Sequence, residues 1–157
     1  MAEHRAPEKI TPSGLSDYLE VMSKAVFQTG ISWRVVDNKW PGIREAFRAF
    51  EPMAVASLNP DEFERLANDT RIIRNRKKIE AIMDNARVMI DLEEQHSGFR
   101  NYLRSHGGFD TTVADLRKRF RFLGETGAYY FLWVVGEEVP SYEDWCASRG
   151  ITHQHAH

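Results

Sequence analysis

Between Ile79 and Ile90 the chain repeats one spacing. Ile79, Ile82, Met83, Ala86, Met89 and Ile90 follow steps of three and four residues, with mostly polar residues between them. On a helix of 3.6 residues per turn these positions form one apolar stripe, which predicts a long helix from about Arg76 to Glu94. The same rhythm recurs at Leu15, Tyr18, Leu19, Met22, Ala25 and Val26, with Ser13 a predicted N-cap and Gly30 a predicted stop. Asn59-Pro60-Asp61-Glu62 reads as a helix start: a side-chain acceptor, a proline whose missing N–H costs nothing there, and two acids at the positive dipole end. Pro41 predicts the opening of a short helix through Phe50. Later helices are expected near Thr112, Glu125 and Ser141, after a turn at Gly107-Gly108. Val134-Val135 is the one β-like pair, too short for a sheet. The expected fold is therefore all-α, a compact domain of short helices around a long one.

Length and composition agree. The chain has 157 residues, enough for one domain with a real core and short for two. The expected organisation is a flexible N-terminus over 1–12, one helical domain over 13–148, and a flexible tail over 149–157. No stretch has the length of a membrane span, and residues 1–12 lack the apolar core of a secretory signal. A single cysteine, Cys146, excludes an internal disulfide and fits a cytoplasmic setting. His153, His155 and His157 alternate in the tail. Such a run captures metal weakly, but without a scaffold it reads as a disordered end, so no metal or other cofactor is expected.

The net charge of −2 argues weakly against a nucleic-acid partner, but its distribution is polarised. Arg71, Arg74, Arg76, Lys77 and Lys78 fall within eight residues without an acid among them. Arg117, Lys118, Arg119 and Arg121 form a second run, while acids gather at Asp91, Glu93, Glu94, Glu137, Glu138, Glu143 and Asp144. Two basic patches can face one polyanion; equally, each can be a solvated helix surface.

Specific motifs decide between these readings. Residues 23–33 read SKAVFQTGISW, followed by WPGIREAF at 40–47 and FEP at 50–52. Downstream come IIRNRKKI at 72–79, Asn85-Ala86, FLGET at 122–126, and Tyr129. In this order and spacing the chain resembles the 3-methyladenine DNA glycosylase I family, a branch of the helix-hairpin-helix glycosylases, over roughly residues 15 to 136. The resemblance implies an all-helical fold with a helix-hairpin-helix element and a partner, double-stranded DNA containing alkylated bases. It implies hydrolysis of the N-glycosidic bond after the damaged nucleotide is flipped from the stack.

The resemblance also implies roles for single residues. Trp33 matches the tryptophan on which the base stacks, a good seat for an alkylated, positively charged adenine. Read from the residues alone, Trp33 is as well a core side chain. Gln28 matches a pocket-lining amide, though an exposed helix residue is the plain alternative. Thr126 and Tyr129 match the C-terminal pocket segment, with a core tyrosine an equal reading for Tyr129. Gly30 and Ile31 match the loop that approaches the gap left by the flipped base. Residues 66–78 match the hairpin, with Arg71, Arg74, Arg76, Lys77 and Lys78 the expected phosphate contacts. Thr70-Arg71 stands where the family often has a glycine.

Three features depart from the pattern. Ala25 stands where the family carries a glutamate, and Glu20 lies more than one turn away. The family's N-terminal aromatic and zinc ligands have no counterpart upstream except His4, so no structural zinc is expected. No catalytic residue emerges: Asp110, Asp115 and Lys24 have the right chemistry but no assigned place. The sequence therefore supports a monomeric DNA repair glycosylase of alkylated purines. The alternatives are a non-catalytic lesion- or DNA-binding paralogue and, in another class, a nucleobase-binding helical protein.

Overall fold

The computed structural model describes residues 7–150. Those residues form nine α-helices and no strand: α1 (Leu15–Gln28), α2 (Trp33–Ala46), α3 (Pro52–Ala56), α4 (Pro60–Ala67), α5 (Arg76–His96), α6 (Phe99–Leu103), α7 (Phe109–Arg119), α8 (Glu125–Val134) and α9 (Tyr142–Ser148). A single 3-10 turn, Arg48–Phe50, joins α2 to α3. The all-α expectation holds. The long helix α5 packs against α1, α3 and α6, while α8 lies against α1 and α7. Leu19, Met22, Phe27, Ile79, Ile82, Met89, Phe99 and Phe131 are fully buried between them. The predicted stripe of α5 is thus the centre of the core, although Ile90 is only half-buried.

Local chemistry explains the boundaries. At α4 the Asn59 side chain accepts from Glu62 N at 2.8 Å and Glu62 accepts from Asn59 N at 2.9 Å, a reciprocal capping box. Ser13 behaves differently from its expected role. Gly14 occupies the cap position of α1, and Ser13 instead donates from N and Oγ to the Asp17 carboxylate. Pro41 does not open a helix. It sits inside α2, which begins eight residues earlier because Ser32 Oγ caps Arg34 N at 3.2 Å. Burial compensates for the backbone bond that proline removes: Val36 and Ile43 are fully buried, and Trp40 stacks on Phe50 at 5.5 Å. The helix expected near Thr112 starts three residues earlier, at Phe109.

Both ends of the described chain are held. Trp133 Nε1 donates to Pro7 O at 2.8 Å, Ile10 N donates to Val134 O at 2.7 Å, and the Lys9 ammonium lies 4.3 Å from the Trp133 ring centroid. Pro7, Lys9 and Ile10 of the arm expected to be flexible thus contact α8. Arg149, expected to begin the tail, pairs with Asp110 and Glu125. The histidines His4, His153, His155 and His157 lie outside the described residues.

Asp115 is the hub of the α6–α7 corner. It accepts from Tyr102 Oη at 2.6 Å and from Arg119 Nε at 2.8 Å, and His106 Nε2 lies 3.1 Å away. Burial alone would raise this carboxyl, but the bonds from Tyr102, His106 and Arg119 outweigh it and hold the pKa at about 2. A carboxylate depressed in the folded state stabilises above its unfolded pKa of about 4 and loses that contribution as pH falls toward 2. We therefore expect stability to drop by about 1–2 kcal/mol across that interval from this group. Urea titrations at a series of pH values should show this component in the wild type and its absence in Asp115→Asn.

Candidate nucleic-acid interface

Helix α1 ends in a short, exact reversal. Thr29 is its C-cap, Gly30 follows with φ +74°, and Ile31 N donates back to Gln28 O at 3.1 Å. A left-handed φ favours glycine because it has no Cβ to clash. Ile31 remains half-buried, and Ser32 caps α2. Trp33 is then the first residue of α2 and is 43% exposed. The core alternative for Trp33 is excluded by this exposure. Its only ring partner among the described residues is the Arg34 guanidinium, 5.6 Å from the centroid. An indole in this setting already accommodates a cation.

The reversal is fixed from below by Lys78. Its side chain is 4% exposed, and Nζ donates to Phe27 O at 3.1 Å and to Thr29 O at 2.5 Å. The ammonium thus caps the negative end of α1 while its own backbone N–H is capped by Asn75 Oδ1 at 3.1 Å. Burial pushes the pKa of Lys78 down. This corrects the expectation that Lys78 contacts phosphate: its charge is spent on two backbone carbonyls. Lys78→Ala removes this donor and opens a cavity, and we expect a loss of about 2–3 kcal/mol, read by urea denaturation.

The hairpin consists of α4, a turn over residues 68–75, and the start of α5. It is fastened to α2 as well. Lys39 Nζ donates to Thr70 O at 3.3 Å, and Arg71 pairs with Asp69 at 2.7 Å and Glu45 at 2.9 Å. A Cβ on Gly42 would lie 3.1 Å from the Arg71 Cβ, so any larger residue would push the hairpin turn back by a few tenths of an ångström. Arg76 pairs with Glu64 across the hairpin. Arg71 and Arg76 are therefore already neutralised locally. Arg74 and Lys77 are exposed and have no ion pair among the described residues.

The expected pocket residues differ in their surroundings. Gln28 is half-buried at the end of α1, and Thr126 is exposed in the first turn of α8. Tyr129 turns the other way. It is buried against Trp145 at 4.6 Å between centroids, and its hydroxyl donates to Pro140 O at 2.8 Å. It therefore anchors α9, and the base-binding expectation for Tyr129 is replaced by its core reading. The α8 surface toward α1 carries Gly127 and Tyr130 instead. A Cβ on Gly127 would lie 3.7 Å from the Cβ of buried Ala25, so two small residues let α1 and α8 approach closely. Burial pushes the Tyr130 phenol up, with the Asp37 and Glu20 carboxylates adding to the effect.

Sequence reasoning missed two features. Lys78 reads as one more cation in a basic run, and only the fold reveals its burial. Asn85 is 1% exposed, accepts from Arg121 N at 2.8 Å and donates to Arg121 O at 3.1 Å. The next residue, Phe122, takes φ +57° and is 38% exposed. Asp110 and Asp115, weighed as acids for the pocket, are engaged with Arg149 and with the α6–α7 network. An open cleft of about 590 Å³ beside Phe109, His106 and Trp133 contains none of the residues that carry the resemblance.

The methyladenine glycosylase family model matches residues 14–117 of this chain. The chain belongs to the methyladenine glycosylase family. The DNA-3-methyladenine glycosylase 1 of Escherichia coli (strain K12) is 32% identical over 130 residues, covering 69% of this chain and 70% of that protein. The DNA-3-methyladenine glycosylase of Haemophilus influenzae (strain ATCC 51907 / DSM 11121 / KW20 / Rd) is 29% identical with the same coverage. A crystal structure of 3-methyladenine DNA glycosylase I superposes with a TM-score of 0.71 at 26% identity, covering 86% of each chain. The matched family span holds α1, α2, the hairpin and α5, the elements that carry Trp33 and its supports.

Proposed function

We propose that this family member is a DNA repair glycosylase: it binds duplex DNA, extrudes an alkylated purine such as 3-methyladenine, and hydrolyses its N-glycosidic bond. The observation that carries this reading is Trp33, an exposed tryptophan held at a helix start beside the Gly30-Ile31 reversal. The α4–α5 turn acts as a helix-hairpin-helix element, with Arg74 and Lys77 as its available phosphate contacts. Ile31 enters the space the nucleotide leaves, and the base stacks on the indole of Trp33.

The chemistry needs little from the protein. N3 alkylation gives the purine a positive charge, so it departs as a neutral base while water takes its place at the sugar carbon. A desolvated cation over an indole gains about 1–2 kcal/mol, and extrusion places the bond where water reaches it. We read the protein as a monomer without cofactor, and its single buried cysteine fits a cytoplasmic setting.

One observation favours the second reading, a lesion-binding paralogue without catalysis. Ala25, where the family pattern has a glutamate, is buried against α8 and supplies no carboxylate. Base release from methylated duplex DNA separates the two. The glycosylase reading expects released 3-methyladenine that falls about tenfold or more in Trp33→Ala. No release, with salt-sensitive DNA binding intact, establishes the paralogue.

The hairpin assignment has its own test. Arg74→Ala and Lys77→Ala should each lower the slope of log affinity against log salt by about 1, whatever the duplex sequence. Arg71→Ala should change the slope less, since that guanidinium is already paired within the fold.

A further inference from the structure

A cationic base on Trp33 calls for a carboxylate within reach of the indole. Position 25 has none, and two other acids of α1 and α2 are committed. Glu20 accepts from Trp40 Nε1 at 2.9 Å and Arg44 Nε at 3.2 Å. Glu45 is taken by Arg71 at 2.9 Å.

Asp37 differs from both. It lies four residues after Trp33 on α2, one helical turn along the same face. Its side chain is 38% exposed, so solvent and ligand can reach it. Its one ion pair among the described residues is with Lys24 Nζ of α1, at 2.5 Å. Lys24 directly precedes Ala25, and its ammonium also lies 5.6 Å from the Trp40 ring centroid. The carboxylate is close enough to Tyr130 of α8 to act on its phenol, and Gly127, one turn before Tyr130, faces Ala25. Asp37 thus lies one turn from Trp33 on α2 and is tied to α1 through Lys24.

We propose that Asp37 is the charge-recognition residue for the cationic purine stacked on Trp33, and that Lys24 is the ammonium which that purine displaces. The inference rests on the Trp33 platform put forward above. Two charges of the same sign compete for one carboxylate. The pair keeps Asp37 neutralised until a cation of the right shape arrives. A neutral purine gains the stacking but cannot compete with Lys24 for the carboxylate, so the arrangement selects for alkylated bases. No bond is made or broken by Asp37 in this role.

The arrangement predicts opposite effects from two substitutions. The probes are 3,9-dimethyladeninium, a fixed cation, and neutral 9-methyladenine, each titrated into the full chain and followed by tryptophan fluorescence. Wild type should prefer the cation. Asp37→Asn should weaken cation binding roughly two- to fivefold and abolish the preference, since a half-exposed ion pair is worth no more. Lys24→Met should strengthen cation binding by a similar factor and leave 9-methyladenine unchanged. A purely structural pair would instead lower thermal stability in both variants and shift both ligands alike. Cation preference that survives Asp37→Asn, or cation binding weakened by Lys24→Met, overturns this inference alone. Failure of wild type to bind either purine, or binding unaffected by Trp33→Ala, overturns the platform as well.

Discussion

The Lys78 ammonium holds the two functional halves of this structure together. It leaves the first turn of α5, where the hairpin ends, and reaches the last carbonyls of α1, where the Trp33 reversal begins. A cation at the start of a helix opposes that helix's own dipole. Here the charge is carried away along a hydrocarbon stem to the negative end of another helix, where it replaces water as the donor to Phe27 and Thr29. In the function proposed above, a phosphate held by the hairpin would thereby be placed at a fixed distance from Ile31. A flexible link between them would let a nucleotide be held without being extruded.

Pairing inside the fold decides how the positive charge is used. Arg71 and Arg76 look equivalent to Arg74 and Lys77 along the chain, yet the first is consumed in fastening the hairpin to α2 and the second in closing the hairpin itself. These exposed pairs contribute little stability singly. Their value is positional: they rest a turn that lacks its customary glycine against Gly42, where a side chain would intrude. The same logic governs the α6–α7 corner, where Asp115 gathers three donors and cannot also serve a distant pocket.

The fold was largely legible because its signals are local. The stripe of α5 and the Asn59 cap of α4 each depend on residues within a few turns, and both helices form where expected. Pro41 misled because proline at a helix start and proline inside a helix look alike from neighbouring residues. What separated them was Ser32, nine positions upstream, together with the long-range stacking of Trp40 on Phe50. The site was legible only in part. Trp33 and Gly30 are exposed by a local reversal that the motif captures. Lys78 and Tyr129 are placed by contacts 51 and 11 residues away, and no local pattern records which way such a side chain turns.

Ala25 shows how close packing and chemistry compete for one position. It lies opposite Gly127 of α8, where an added Cβ would already be in van der Waals contact with it. A carboxylate there would have to be buried between the helices, at a cost of several kcal/mol unless fully hydrogen-bonded. Asp37 meets neither obstacle. It lies on the next helix, partly in water, with Lys24 as its counter-ion until something displaces it. Placing the charge at the rim rather than the floor changes what the site can do. A buried acid would act throughout bond cleavage in a dry pocket, whereas a rim acid selects the cation on entry and weakens with solvent screening. Such a site discriminates mainly by charge and stacking, and leaves bond breaking to the lability of the alkylated base.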